Sequence, residues 1–146
     1  MKNILIVAVT ALALSWGATL STSPVQAAPK TSAMTAVSGA FRQITHATNG
    51  TARLAAQNGR RTLTLSGFET GMGPNLHLVL VPGQVTSNAQ VKAAFAANRA
   101  IELGRLRAIK GTQTYAVPTG VKIGGGQSVV IWCEKFGVAF GAATLS

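Results

Sequence analysis

Val129-Val130-Ile131-Trp132 is the run that most restricts the fold. It is β-branched and aromatic, and Gly124-Gly125-Gly126 bounds it upstream, which suits a strand better than a helix. Val129, Ile131 and Cys133 fall on one face, Val130 and Trp132 on the other. With both faces apolar, the strand should be central and covered on both sides. Downstream, Phe136, Val138 and Phe140 alternate with Lys135, Gly137 and Ala139, the pattern of a half-buried strand, with Glu134 and Lys135 at the bend between the two.

The N-terminal segment has the pattern of an export signal. Lys2 supplies a basic start, Ile4 to Leu14 an apolar stretch too short to span a bilayer, and Val25-Gln26-Ala27 a small-residue cleavage site. Residues 1–27 are therefore expected to be a signal peptide, and the protein to be secreted or periplasmic, with no membrane span. Residues 28–37 are small, polar and Pro-containing and are expected to form a disordered lead. Residues 38–146 are then one domain, long enough for a core of its own.

Turn chemistry divides that domain into short strands. Phe41 to His46 is expected to be a strand ending at an Asn49-Gly50 turn, and a second Asn-Gly follows at Asn58-Gly59. A two-residue loop there pairs Gln57 with Arg60 and sets Leu54 opposite Leu63, Ala52 opposite Leu65 and Arg53 opposite Thr64, which separates apolar from polar faces. Gly67 to Asn75 reads as a loop, and Leu76 to Val81 as a strand that Pro82-Gly83 stops, with His77 on the face of Val79 and Val81. Between Thr86 and Arg99, Asn88 can cap a short helix lined by Val91, Ala94 and Phe95. Ile101 to Leu106 and Thr114 to Val117 are short strands joined through Lys110-Gly111. The sum is an all-β domain, an antiparallel sandwich or small barrel with one short helix.

Composition removes whole classes of chemistry. The chain holds no aspartate and only three glutamates, Glu69, Glu102 and Glu134, so paired-carboxylate hydrolysis, an Asp-containing triad and a carboxylate-rich calcium site are poorly supplied. That argues against an ordinary hydrolase. The formal net charge is +10, and a strongly basic exported domain attracts acidic partners, among them anionic envelope polymers, acidic surfaces and acidic redox proteins, so a non-catalytic adhesion or envelope-binding module for an anionic polymer is the alternative function. Arg60-Arg61 and the Arg99, Arg105, Arg107, Lys110 group are candidate binding faces, but few exposed aromatics accompany them, which argues against a nucleic-acid module.

The one cysteine, Cys133, cannot form an intramolecular disulfide and has no CxxC partner. At the end of a buried strand it is either an inert small hydrophobe or a reactive sulfur, and Lys135 beside it favours reactivity if it reaches water. One-sulfur chemistry then covers sulfenic acid, a mixed disulfide, a thiyl radical or metal ligation. Trp132 and Tyr115 are candidate relays, although such aromatics in small β domains are usually core. By count His46, His77, Cys133 and Met72 could supply a blue-copper ligand set. Familiar copper sandwiches place a histidine and a methionine shortly after the cysteine, and Glu134 to Ser146 has neither, so no metal is expected and no cofactor is named by the sequence.

Several motifs together resemble a known family. Leu103-Gly104-Arg105-Leu106, Gly111-Thr112-Gln113-Thr114-Tyr115-Ala116-Val117-Pro118, and Ile131-Trp132-Cys133 with Phe136-Gly137-Val138-Ala139-Phe140-Gly141 are similar to the Skeletor-type electron-transfer domain, the DM-thirteen family. Gly39-Ala40-Phe41, His46, Gly50-Thr51-Ala52, Gly67-Phe68 and Gly73-Pro74-Asn75-Leu76-His77 follow the family's order more loosely. The resemblance implies an extracytoplasmic β-rich domain with a redox role centred on Cys133. It also implies a separate redox or haem protein as partner, since larger relatives carry such modules beside the domain. Two positions depart from the family: Asn75 stands where an aspartate is usual after Gly-Pro, and Lys122 with a glycine run stands where an acid usually follows the Tyr-x-x-Pro segment.

Overall fold

The computed structural model describes residues 34–146, together with Gly17. Residues 34–146 lie within one compact unit, Thr31–Ser146. The expected signal peptide over 1–27 and most of the expected lead over 28–37 lie outside the described residues. The elements are β1 Thr35–Gln43, β2 Thr48–Gln57, β3 Arg60–Thr70, β4 Leu76–Pro82, α1 Asn88–Ala96, β5 Ile101–Arg105, β6 Lys110–Val117, β7 Gln127–Cys133 and β8 Val138–Leu145. Thr35–Val37, read from the sequence as the end of the lead, is already paired strand, opposite Leu54 to Ala56.

All eight strands form one antiparallel sheet in the order β5-β4-β7-β8-β1-β2-β3-β6. β1 is the hinge of this order, pairing with β2 through its first half and with β8 through its second. The two edges, β5 and β6, are consecutive in the chain, so the sheet curls into a nearly closed barrel with one helix, within the all-β class expected. At the seam between β5 and β6, side chains tie β6 to the loop that joins the two strands. Tyr115 Oη accepts from Arg107 N–H at 3.0 Å and donates to Gln113 Oε1 at 2.5 Å, while Gln113 Nε2 donates to Ala108 O at 2.5 Å. The Arg107 guanidinium lies 4.8 Å from the Tyr115 ring centroid and donates to Thr114 O at 2.9 Å.

β7 is central, between β4 and β8, and its alternation fills two layers. Val129, Ile131 and Cys133 enter the barrel interior with Leu54, Leu65 and Phe140. Val130 and Trp132 leave on the outside, where α1 covers them, and the Phe95 and Trp132 rings sit 5.4 Å apart. The Asn58-Gly59 hairpin has the expected register, Gln57↔Arg60, Arg53↔Thr64, Leu54↔Leu63 and Ala52↔Leu65. Asn58 at φ 51° and Gly59 at φ 75° supply the two positive φ values of a tight hairpin. The last strand returns to the first: Ser38 N–H donates to Ser146 O at 3.2 Å and Ser146 N–H to Ser38 O at 3.0 Å.

Five local expectations are corrected. Asn49-Gly50 is not a turn; the chain reverses earlier, where the N–H groups of Ile44, Thr45 and His46 all converge on Phe140 O at 2.9, 3.2 and 3.1 Å. Gly50 instead forms a bulge inside β2, at φ 109°, where a Cβ would come within 2.8 Å of Phe68 Cα. β3 continues through the expected loop to Thr70, because Gly67 at φ 56° re-aims the strand and drops Phe68 into the core. Phe136 is not in a strand; it sits 63 % exposed in a turn closed by Gly137 N–H to Cys133 O at 2.9 Å. Helix α1 is capped at Ser87, whose N–H is accepted by Gln90 Oε1 at 3.1 Å, while Asn88 Oδ1 accepts from Ala139 N–H at 2.7 Å and ties the helix to β8. Lys110-Gly111 lies inside β6, and β5 and β6 pair with β4 and β3 rather than with each other.

Candidate functional site

Cys133 ends β7 on its interior face and is fully buried. Pairing of Leu76 with Cys133 brings the start of β4, and the loop Gly71–Asn75 before it, over the sulfur. The thiol donates to Pro74 O at 3.1 Å. Pro74 is itself exposed, and Met72 is 84 % exposed, so one thickness of chain separates the sulfur from solvent. Gly73 lets that loop lie close: a Cβ there would come 2.6 Å from Phe140 Cζ and 3.1 Å from Leu76 Cδ2.

The loop is fastened at its C-terminal end. Asn75 adopts φ 56°, a conformation that asparagine tolerates better than most residues. Its carbonyl accepts from Glu134 N–H at 3.2 Å, and its side-chain amide donates to the Glu134 carboxylate. An aspartate here would face Glu134 with a second negative charge; asparagine supplies a donor instead. Glu134 in turn faces His77, with its Oε2 3.3 Å from Nε2, while His77 Nδ1 pairs with the Glu102 carboxylate. Two of the three carboxylates in the chain thus flank one imidazole, at 12 % side-chain exposure, beside the anchor of the loop over Cys133.

Comparison with known proteins adds the decisive observation: the family model described as electron transfer DM13 matches residues 40–145. The chain belongs to the DM13 electron-transfer family. Among curated proteins and among solved structures, nothing matches it. The match opens in β1 and closes in β8, so the DM13 domain takes in every strand after the first residues of β1, the helix, Cys133 and the loop above it. It is an electron-transfer domain in that general sense.

Within this DM13 domain the sequence-derived candidates separate by face. Tyr115 shares the interior with Cys133, but its hydroxyl is fully engaged in bridging the seam. Trp132 leaves the sheet on the opposite side from Cys133 and packs under α1. The histidines do not converge on the sulfur. His77 is an outer-face residue opposite Trp132, and His46 stacks on Phe140 with ring centroids 3.9 Å apart. Among the described residues no group of three or more His, Cys, Asp or Glu side chains is arranged to hold a metal ion. Also among them, no helix is long and apolar enough to cross a membrane.

The Asn75–Glu134–His77–Glu102 constellation went unforeseen. Alternation places His77 outward, but only the pairing of β4 with both β5 and β7 sets Glu102 and Glu134 on either side of it. A depression of about 290 Å³ adjoins the same loop, with Gly73, Asn75, Arg105 and Arg107 in its wall.

Proposed function

We propose that this DM13 domain is an exported electron-transfer module in which Cys133 is the group that changes oxidation state. The observation that carries the proposal is the hydrogen bond from the fully buried thiol to the carbonyl of an exposed residue, Pro74. Two-electron oxidation to sulfenic acid, or exchange into a mixed disulfide, needs an oxidant in contact with the sulfur. Burial withholds that contact. Electron tunnelling needs no contact, and a single peptide layer is a short path to a partner on the surface.

In the step so favoured, the thiol gives one electron to an oxidised haem or other one-electron protein docked over the loop. Its proton leaves along the existing bond toward Pro74 O and then to water, and a thiyl radical remains. The reverse step takes one electron and one proton. An export signal on residues 1–27 would place this exchange in the periplasm or outside the cell, with a separate redox protein as partner.

The test is a stopped-flow experiment that follows the haem spectrum of a ferric cytochrome c mixed with the purified domain, against Cys133→Ser and Cys133→Ala variants. Haem reduction that depends on the domain and is lost in both variants is the expected result. Equal rates in wild type and in both folded variants would overturn the assignment of Cys133.

A further inference from the structure

Charge on this domain is segregated. Glu102 and Glu134 both gather at His77, and Glu69, at the end of β3, faces Lys110 at 3.8 Å. The outer face of β2, β3 and β6 carries no carboxylate over the rows Arg53↔Thr64↔Thr114 and Ala55↔Thr62↔Ala116. Two depressions adjoin there. One, of about 580 Å³, is lined by Arg53, Gln57, Asn58, Arg60 and Thr62 with Met34 at its edge. The other, of about 470 Å³, is lined by Arg60, Arg61, Thr62, Thr114 and Thr119 among others. Arg60 and Thr62 belong to both, so the two form one track across the sheet, with Arg53 and Arg60 on its outer face and Arg61, which falls on the strand face of Leu63 and Leu65, at its end. Among the described residues none of these three guanidiniums pairs with a carboxylate.

From this track we infer a docking surface for a linear polysaccharide bearing carboxylate groups, distinct from the electron-transfer site. Arginine forks match carboxylates bidentately, and a run of threonine hydroxyls and amide side chains offers both donors and acceptors to sugar hydroxyls. A protein partner would call for large aromatic or apolar anchors, whereas the apolar lining is limited to Met34, Ala55, Ala116 and Val117, with no aromatic ring. Single-stranded nucleic acid binds by stacking bases on aromatic rings, whereas Tyr115 faces the interior and Trp132 lies beneath α1. A membrane surface would require several large apolar side chains able to insert, and of the lining residues only Met34 is large and apolar. An extended, hydroxyl-rich, negatively charged chain matches the guanidiniums, hydroxyls and amides of the track.

The experiment measures binding of the purified protein to polygalacturonate by affinity electrophoresis at two salt concentrations. Neutral dextran, double-stranded DNA and phosphatidylglycerol vesicles serve as the other arms. Replacing Arg53, Arg60 and Arg61 together by Gln should weaken polygalacturonate binding by about tenfold or more, each lost charge pair contributing a factor of about two to five. The charge-matched triple variant Lys92→Gln, Arg99→Gln, Lys122→Gln should stay within about twofold of wild type, and raising the salt should weaken binding throughout. Melting curves establish that both variants fold. Equal weakening in the two triple variants would reduce the effect to net charge, and no weakening in the first would remove the track. Tighter binding to DNA or to vesicles than to polygalacturonate would name a different occupant. Each of these outcomes overturns the inference.

Discussion

Asn75→Ala should expose Cys133 without unfolding the barrel, and the size of the effect follows from two local terms. Asn75 holds the loop over the sulfur at φ 56° and donates to the Glu134 carboxylate. Forcing alanine into the left-handed region costs about 1 kcal/mol relative to a residue that tolerates it. A hydrogen bond to a charged group contributes about 1.5–3 kcal/mol when shielded, and this exposed one about 0.5–1 because water replaces it. The sum, about 1.5–2 kcal/mol, raises the open population of the loop roughly 10- to 30-fold.

Modification of the thiol by a maleimide, followed by intact-protein mass spectrometry, reads that population directly while reclosing is faster than reaction. Asn75→Gly separates the two terms. It restores φ freedom and loses only the side-chain bond, so its labelling should rise about two- to fivefold. Global stability is followed by thermal melting in parallel. Wild-type labelling in Asn75→Ala would refute the fastening role. So would an increase matched by an equal loss of amide-exchange protection across β7, since the sulfur would then be reached through unfolding.

Two further outcomes test the packing. Trp132→Ala removes the ring that joins β7 to Phe95 of α1 and should destabilise the domain by roughly 3–5 kcal/mol; an unchanged melting temperature would contradict its burial beneath the helix. Tyr115→Phe strips the seam of the hydroxyl shared by Arg107 N–H and Gln113 and should cost about 1–3 kcal/mol. Hydrogen exchange should then quicken at Arg107 and Ala108 while the Leu54–Leu63 pair keeps its protection.

What the sequence made legible was decided by neighbours in the chain. Asn58-Gly59 supplies its own turn geometry, and the alternation of Leu54, Ala52, Leu63 and Leu65 leaves only one register that buries them together. β7 is legible for the same reason, because a strand apolar on both faces has nowhere to go but the middle. The identical dipeptide Asn49-Gly50 misleads because the reversal beside it is built on Phe140 O, an acceptor more than ninety residues away. Phe136 misleads because alternation continues through a turn that Gly137 makes possible at φ 61°. The site divides likewise. Which side of the strand carries Cys133 could be read, but its cover could not, since Pro74 meets it only through the pairing of β4 with β7. The carboxylates around His77 come from two strands that flank it in space and lie far apart in sequence.

The reciprocal bonds between Ser38 and Ser146 give the domain a mechanical character. β1 begins at Thr35, only three residues before the Ser38–Ser146 pair, so a longer polypeptide would carry the barrel as a pendant whose attachment little alters the spacing of whatever lies on either side. The same geometry makes it a weak link under tension. Force applied through both ends peels β1 from β8 one bond at a time instead of shearing the whole ladder at once, and those two strands also carry Phe41 and Phe140 into the core. Joining the ends and reopening the chain at Asn58-Gly59, which lies beside Thr35 across the β1–β2 pair, should therefore yield a circular permutant that folds with the same sheet and is pulled apart between β2 and β3 instead.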